Sequence, residues 1–365
     1  MSSVVPPAPG AAPRGRRRLL RYVLPVAAAG VLALVASDVL SAHADQNLPS
    51  HSATELLAAA STPQLTGFSG TVVEKAALGL PELGLLAGGS GSETGALSLL
   101  TGSHTIRVWY GGEDKQRVAM LDALGESDVF RNGSTVWAWD SRNRVATRLS
   151  LPATLPAPPA LASPDQFAKQ LLARISPSTS VSTDKNVQVA GRSAYELVLT
   201  PKDSRSRVGQ IRIAIDGKTM VPLALQVYAR DSSRPAFDIA FTRFDTGMPT
   251  EDNFTWQPPA GVTIRQAPSA NRSSLPFGLG QVSSSMVGQD WTTVLKLTGL
   301  PTPAQLAQRS PQLGIAYGML PAVRGAWGSG RLLQSSLLTV LYTDDGRAFV
   351  GAVDPSVLYA AAAQR

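Results

Sequence analysis

From Thr105 to about Phe244 apolar and polar residues alternate with a period of two, interrupted by short clusters of turn formers. A period of two sends successive side chains to opposite faces of an extended strand, so this stretch is read as sheet. The alternation is explicit in three consecutive runs. Ile211, Ile213 and Ile215 stand against Arg212 and Asp216; Leu223, Leu225 and Val227 against Gln226 and Tyr228; Phe237, Ile239 and Phe241 against Asp238 and Thr242. One face of a curved antiparallel sheet is therefore expected to be apolar and the other wet.

The turns divide the region into strands. Thr105–Tyr110 and Gln116–Asp122 flank Gly111-Gly112, and Ser127–Arg131 and Ser134–Asp140 flank Asn132-Gly133, a strong hairpin signal. Val145–Leu149 follows the Ser141–Arg144 turn, and Val187–Val189 and Tyr195–Thr200 flank Ala190-Gly191-Arg192. Ahead of them a helix is expected over Ala53–Ala60, with Ser52 as N-cap and Glu55 as its capping-box partner, then a first strand over Gly67–Glu74. Prolines 152, 156, 158 and 159 stop the first run of strands, and Ser163-Pro164-Asp165 opens a further helix whose apolar face is Phe167, Leu171, Leu172 and Ile175. Neither a parallel βαβ rhythm nor a glycine-rich phosphate loop is present.

Upstream, a basic cluster (Arg16, Arg17, Arg18, Arg21) runs into the apolar stretch Tyr22–Ala36 and then into Ser41-Ala42-His43-Ala44. That is the pattern of an export signal, its basic end held inside. A membrane span needs about 20 apolar residues. The clean run is shorter and Asp38 interrupts its end, which favours cleavage after Ala44; Val39 and Leu40 extend the surface, which favours a retained anchor. Both remain open. The residues after Asp45 are expected to work outside the cytoplasm, membrane-anchored or secreted. The chain carries +7, of which the five arginines and Asp38 of the first 44 residues account for +4. The remaining +3 shows no basic stripe interleaved with aromatics, so nucleic acid is not an expected partner. The absence of cysteine excludes disulfides, thiol chemistry, zinc–thiolate sites and a lipoprotein signal, which needs a cysteine to acylate.

The expected organisation is a stub and leader over 1–44, a main domain over 45–257, a Pro/Ser/Asn/Gly-rich linker over 258–280 and a small C-terminal βα domain over 281–365. The last draws on Asp290–Leu297, Gly314–Leu320, Ser335–Thr343 and Arg347–Val353, and ends in a helix opened by Asp354-Pro355. Leu80–Ser103 mixes glycines with seven leucines. It is read either as an ordinary insertion packed outside the sheet or as a flexible lid over an apolar hollow.

This layout resembles the LolA/RseB superfamily, in its actinobacterial type. The resemblance is carried by an opening helix, the strand Phe68-Ser69-Gly70-Thr71, a turn before Tyr195-Glu196-Leu197, then Asp216, Val221-Pro222-Leu223 and Tyr228-Ala229-Arg230. Asp344-Asp345-Gly346-Arg347 with Val350-Gly351-Ala352-Val353-Asp354-Pro355 is similar to the end of the small RseB C-terminal domain. The Leu80–Ser103 loop is not part of the common pattern. The resemblance implies an α+β fold: an antiparallel half-barrel sheet wrapped around helices, plus a small C-terminal βα domain. It implies a non-enzymatic envelope protein that binds a lipid or a lipidated protein in the half-barrel's hollow. Its RseB branch implies a regulator that binds a membrane-spanning anti-sigma factor.

Catalytic and metal readings find little support. His43, His51 and His104 have no ligand spacing to one another or to carboxylates, and no Gly-x-Ser-x-Gly elbow occurs. Ser182-Thr183-Asp184-Lys185 fits Ser-x-x-Lys, but its Lys-Thr-Gly and Ser-Asp-Asn partners are missing. Asp344-Asp345-Gly346 lacks the rest of a calcium loop and reads as a hairpin turn. No cofactor is expected. The expected hollow lining is Leu197, Ile213, Leu225 and Ile239, from the apolar faces of consecutive strands. Trp137 and Trp139 are read either as its rim or as edge-of-core packing. Arg142, Arg144 and Arg148 are read as a solvated face, or as contacts for lipid phosphates or an acidic peptide.

Overall fold

The structure, a computed structural model, describes residues 48–61, 65–79, 101–122, 125–151, 177–266 and 282–364. The leader, residues 80–100 of the Gly/Leu segment, the prolines from 152 to 159 and the helix expected from Ser163 lie outside the described residues.

Helix α1 (Ala53–Ser61) begins at the expected capping box. The Ser52 N–H donates to Glu55 Oε2 at 2.8 Å and the Glu55 N–H donates to Ser52 Oγ at 3.3 Å. Two orphan donors of the helix start are thereby satisfied. Thirteen strands follow in one sheet. They are β1 (Phe68–Ala77), β2 (Thr101–Tyr110), β3 (Lys115–Asp122), β4 (Gly125–Asn132), β5 (Thr135–Asp140), β6 (Val145–Ser150) and β7 (Thr179–Thr183). The rest are β8 (Val187–Val189), β9 (Arg192–Pro201), β10 (Val208–Asp216), β11 (Pro222–Ala229), β12 (Pro235–Thr246) and β13 (Thr263–Gln266). The spatial order is β13-β6-β5-β4-β3-β2-β1-β12-β11-β10-β9-β7, with β8 also on β9. The sheet is not closed, since β13 and β7 end it on either side. It is mixed only through β13, which runs parallel to β6; its other pairs are antiparallel. β1 is the seam between two meanders, β2–β6 on one side and β9–β12 on the other.

Close approach at that seam explains the glycine of Phe68-Ser69-Gly70-Thr71. A Cβ at Gly70 would lie 2.5 Å from the Arg243 carbonyl oxygen and 2.6 Å from the Phe241 ring. The Asn132 hairpin forms as expected but turns one residue later. Asn132 pairs with Thr135, so Gly133 (φ +61°) takes the first central position, where a left-handed backbone is required.

A second sheet is built from β14 (Ser283–Val287), β15 (Val294–Thr298), β16 (Ala322–Gly325), β17 (Gly328–Gln334), β18 (Thr339–Thr343) and β19 (Arg347–Gly351), in the order β14-β15-β19-β18-β17-β16. Helices α2 (Pro303–Arg309), α3 (Pro311–Met319) and α4 (Pro355–Ala363) accompany it. Leu358, Ala361 and Ala362 of α4 pack on Val294, Leu341 and Phe349. Asp344-Asp345-Gly346 is the β18–β19 hairpin turn, with Gly346 at φ +80°. The two sheets touch. Leu78, Val208 and Ala236 form one apolar cluster with Leu337, and the Trp291 indole N–H donates to Thr179 Oγ1 at 2.7 Å. The Arg207 N–H reaches the Ala352 carbonyl at 2.9 Å, and the Asp354 N–H reaches that of Arg205 at 2.8 Å.

Two features differ from the sequence reading. Residues 263–266 of the expected linker form β13, whose side chains are all exposed. A strand held by its backbone alone leaves no apolar alternation to read. The face expected to be wet is not uniformly so: Gln226, Asp238 and Glu196 are buried on it. They are buried because they are partnered. Gln226 Nε2 donates to Asp238 Oδ1 at 3.2 Å, the Tyr228 hydroxyl donates to Gln226 Oε1 at 2.8 Å, and Arg212 bridges Glu196 and Asp184.

Candidate functional site

Register decides which side chains share a face, because directly paired residues point the same way. Leu197 pairs with Ile213, Ile213 with Leu225, and Leu225 with Ile239. Ile239 pairs in turn with Glu74, and Glu74 with His104. The four aliphatic residues read from the sequence thus form one continuous cross-strand row on a single face, ending in a carboxylate and an imidazole.

That face is covered unevenly. At one end α1 lays Leu56 against Tyr195, Leu197 and Ile215, so Leu197 is fully buried rather than open. Ile239 is also fully buried, among Val72, Leu223 and Phe241. The same face carries Ile211, Ile213, Leu225, Val227 and Phe237, all half-buried; Ile213 packs on the α1 cluster, and Ile211, Val227 and Phe237 pack on the cluster where the second sheet touches. The row Gly70–Val108–Val118–Val129–Ala138 continues this face across β1 to β5, and there Val129 is 46% exposed and Ala138 exposed. An apolar sheet face thus runs from a sealed core to an open strip.

Trp137 and Trp139 are on the other face. Trp139 pairs with Asp128, Asp128 with Ala119, and Ala119 with Arg107, which faces away from the aliphatic row. There Trp256 lies over both, with ring centroids 5.5 and 5.7 Å away, and stacks on Phe130 at 5.3 Å. The Arg117 guanidinium is 4.6 Å from the Trp109 and Phe130 rings and pairs with buried Asp128 at 3.1 Å. The structure therefore does not bring the two tryptophans together with the aliphatic row. Arg142, Arg144 and Arg148 are exposed; Arg144 donates to the Ala260 carbonyl at 3.0 Å and Arg148 lies over Trp137.

Glu74 is the site residue that the sequence reading missed. Its side chain is completely buried, Oε2 lies 2.7 Å from His104 Nδ1, and Oε1 has no hydrogen-bond partner. Burial pushes the Glu74 carboxyl up, and the His104 hydrogen bond pulls it only part of the way back. A buried acceptor left unpaired costs about 1–3 kcal/mol. Glu74 lies within β1 three residues before its end, and its partner lies 30 residues away in sequence, so no local signal exists.

Among the described residues, no group of three or more His, Asp or Glu could hold a metal ion. Ser182 is exposed on β7, and Asp184 of the same motif pairs with Arg212, so the Ser-x-x-Lys match assembles no catalytic centre. Among the described residues, no helix is long and apolar enough to cross a membrane.

No protein-family model matches the chain, and no curated protein does. Solved structures do. MucB in the MucA/MucB complex of Pseudomonas aeruginosa is 19% identical, covering 85% of this chain and 96% of that one, with a TM-score of 0.45. A LolA superfamily protein from Nitrosomonas europaea is 13% identical over 57% of this chain and 99% of that one, TM-score 0.22. A domain of an outer membrane lipoprotein-sorting protein from Vibrio parahaemolyticus is 11% identical over 52% and 89%, TM-score 0.19. In its sequence motifs and among solved structures alike, the chain is similar to the LolA/RseB-like proteins.

Proposed function

We propose that the protein is an exported, non-enzymatic envelope protein that binds a lipid or a lipoprotein acyl chain on the half-open apolar face. In this reading the large sheet is the half-barrel, α1 fills one end of its hollow, and residues 282–364 form the small C-terminal domain. One observation carries the proposal: Ile211, Ile213, Leu225, Val227 and Phe237 form a contiguous apolar patch of one sheet face that stays only half-buried while packing against the neighbouring core clusters. Covering about 400 Å² of acyl surface there would contribute roughly 10 kcal/mol gross at 25 cal/mol/Å², before the costs of association.

Leu225→Trp tests this. Leu225 is half-buried, so a larger side chain can extend into the strip without rupturing the core. Binding of a fluorescent fatty-acyl probe is expected to weaken by at least about tenfold, while the melting temperature barely moves. Unchanged probe affinity in a folded Leu225→Trp variant would remove this strip as the site. The second reading, an RseB-like regulator that binds a membrane-spanning anti-sigma factor, draws on the motif resemblance. It predicts that the chain retains the extracytoplasmic segment of such a factor whether or not the strip is filled.

The export reading carries its own expectation. A reporter fused after Arg365 is expected to be active only outside the cytoplasm, and activity inside would contradict it. A mature N-terminus at Asp45 would mean cleavage, and an intact leader an anchor.

A further inference from the structure

Glu74 interrupts an otherwise aliphatic row, and its placement costs stability unless something occupies its free oxygen. Oε1 is, among the described residues, the sole buried side-chain N or O atom without a hydrogen-bond partner. Glu74 is paired in register with buried Ile239, and through Ile239 with Leu225 and Ile213, so the orphan oxygen ends the cross-strand row whose half-buried members the acyl-binding reading uses. The three strand steps from Ile213 to Glu74 span about 14 Å. On the far side of Glu74, His104 is 16% exposed, so the pair meets solvent through the imidazole. The neighbours on this face, Val72 and Ile106, are buried and apolar, while Lys75, next in sequence, faces the other way and pairs with Asp238 in register. Among the described residues, His104 is the one basic group in contact with the Glu74 carboxyl.

We propose that Glu74 and His104 form a polar subsite that takes the hydrogen-bond-donating end of a single-chain amphiphile, a hydroxyl or amide head, with its acyl part reaching toward the half-buried Leu225 and Ile213. The inference rests on the acyl-binding reading. Its chemistry follows from the orphan oxygen. An acceptor in an apolar setting gains a full hydrogen bond from a neutral donor, whereas an anionic carboxylate head would set its lone pairs against those of Oε1, with His104 already engaged by Oε2. A merely structural role, in which Glu74 ties β1 to β2 through His104, needs one carboxylate oxygen and leaves the other without purpose.

The test is competition by 1-monooleoylglycerol and by oleate against a fluorescent acyl probe on the full chain. Wild type is expected to prefer the glyceride by at least about tenfold. In Glu74→Leu the preference is expected to fall to about twofold or less, with a melting temperature equal to or above wild type because an unpaired buried carboxyl is gone. Glu74→Gln, which keeps the shape and the contact with His104, is expected to retain glyceride binding and to admit oleate better. Equal affinities in wild type, or a preference that survives Glu74→Leu, would overturn the subsite and leave acyl binding standing. Absence of any acyl-probe binding would overturn both.

Discussion

Arg192→Leu is expected to destabilise the protein by about 3–5 kcal/mol, the cost of stripping a buried carboxylate of its counter-charge. Asp216, at the end of β10, is 1% exposed. Arg192 grips it with both arms of the guanidinium, Nε to Oδ1 at 2.8 Å and Nη2 to Oδ2 at 2.7 Å. The Thr219 N–H and hydroxyl add hydrogen bonds to Oδ2 at 2.8 and 2.6 Å. Burial by itself would raise this carboxyl, but the bonds from Arg192 and Thr219 outweigh it and hold Asp216 below its ordinary value. The sign for stability follows. A depressed carboxyl contributes fully above its unfolded pKa, about 3.9, and that contribution is lost as the pH falls through the folded value. In Arg192→Leu the buried carboxylate escapes by taking a proton. The deficit against wild type is therefore expected to be largest at neutral pH and to shrink on acidification toward about pH 4. Urea midpoints at both pH values measure it. An equal loss at both would assign the effect to the packing of Arg192 over Phe244, at 5.4 Å, rather than to charge.

Phe241→Ala is expected to cost about 3–5 kcal/mol, as deletion of a fully buried aromatic ring generally does. Phe241 is 1% exposed and meets Phe244 at 4.9 Å and Phe68 at 6.2 Å, both edge-on, at the seam where β1 joins the two meanders. The same place makes a sharper expectation about Gly70. Its absent Cβ would collide with the Phe241 ring, which can be removed, and with the Arg243 carbonyl, which cannot. Phe241→Ala is therefore not expected to rescue Gly70→Ala, and the double variant should unfold at a lower denaturant concentration than either single variant. Recovery of stability in the double variant would show that the ring alone dictates the glycine.

What was legible in the sequence follows from where each strand gets its stability. β9 to β12 carry large aliphatic side chains on one face each, so their alternation is strong, and register placed Leu197, Ile213, Leu225 and Ile239 in the one row that alternation implies. Of the strands that went unread, β7, β13, β14 and β16 lie at sheet edges and expose most of their side chains, whereas β17 is interior but too glycine-rich at its start to show alternation. The edge strands are held by backbone hydrogen bonds, which every sequence can make, so no side-chain pattern marks them. Alternation also cannot say which face a distant segment covers. Trp137 and Trp139 were legible as strand residues, yet their surroundings are set by Trp256, which lies more than 100 residues on. Glu74 was illegible for the same reason, since its burial is created by strands far away in the chain. The buried Gln226–Asp238 pair sits where a polar face was expected to be wet, because a hydrogen-bonded polar pair is compatible with either setting.

The central claim, that the half-open face of the large sheet holds an acyl chain, is tested most directly by native mass spectrometry of the full chain purified from the envelope of its own host. The account predicts discrete mass additions that match a lipid, that disappear on organic extraction, and that are depleted in Leu225→Trp. An ion series of bare polypeptide, from protein that also fails to bind a fluorescent acyl probe, would contradict it.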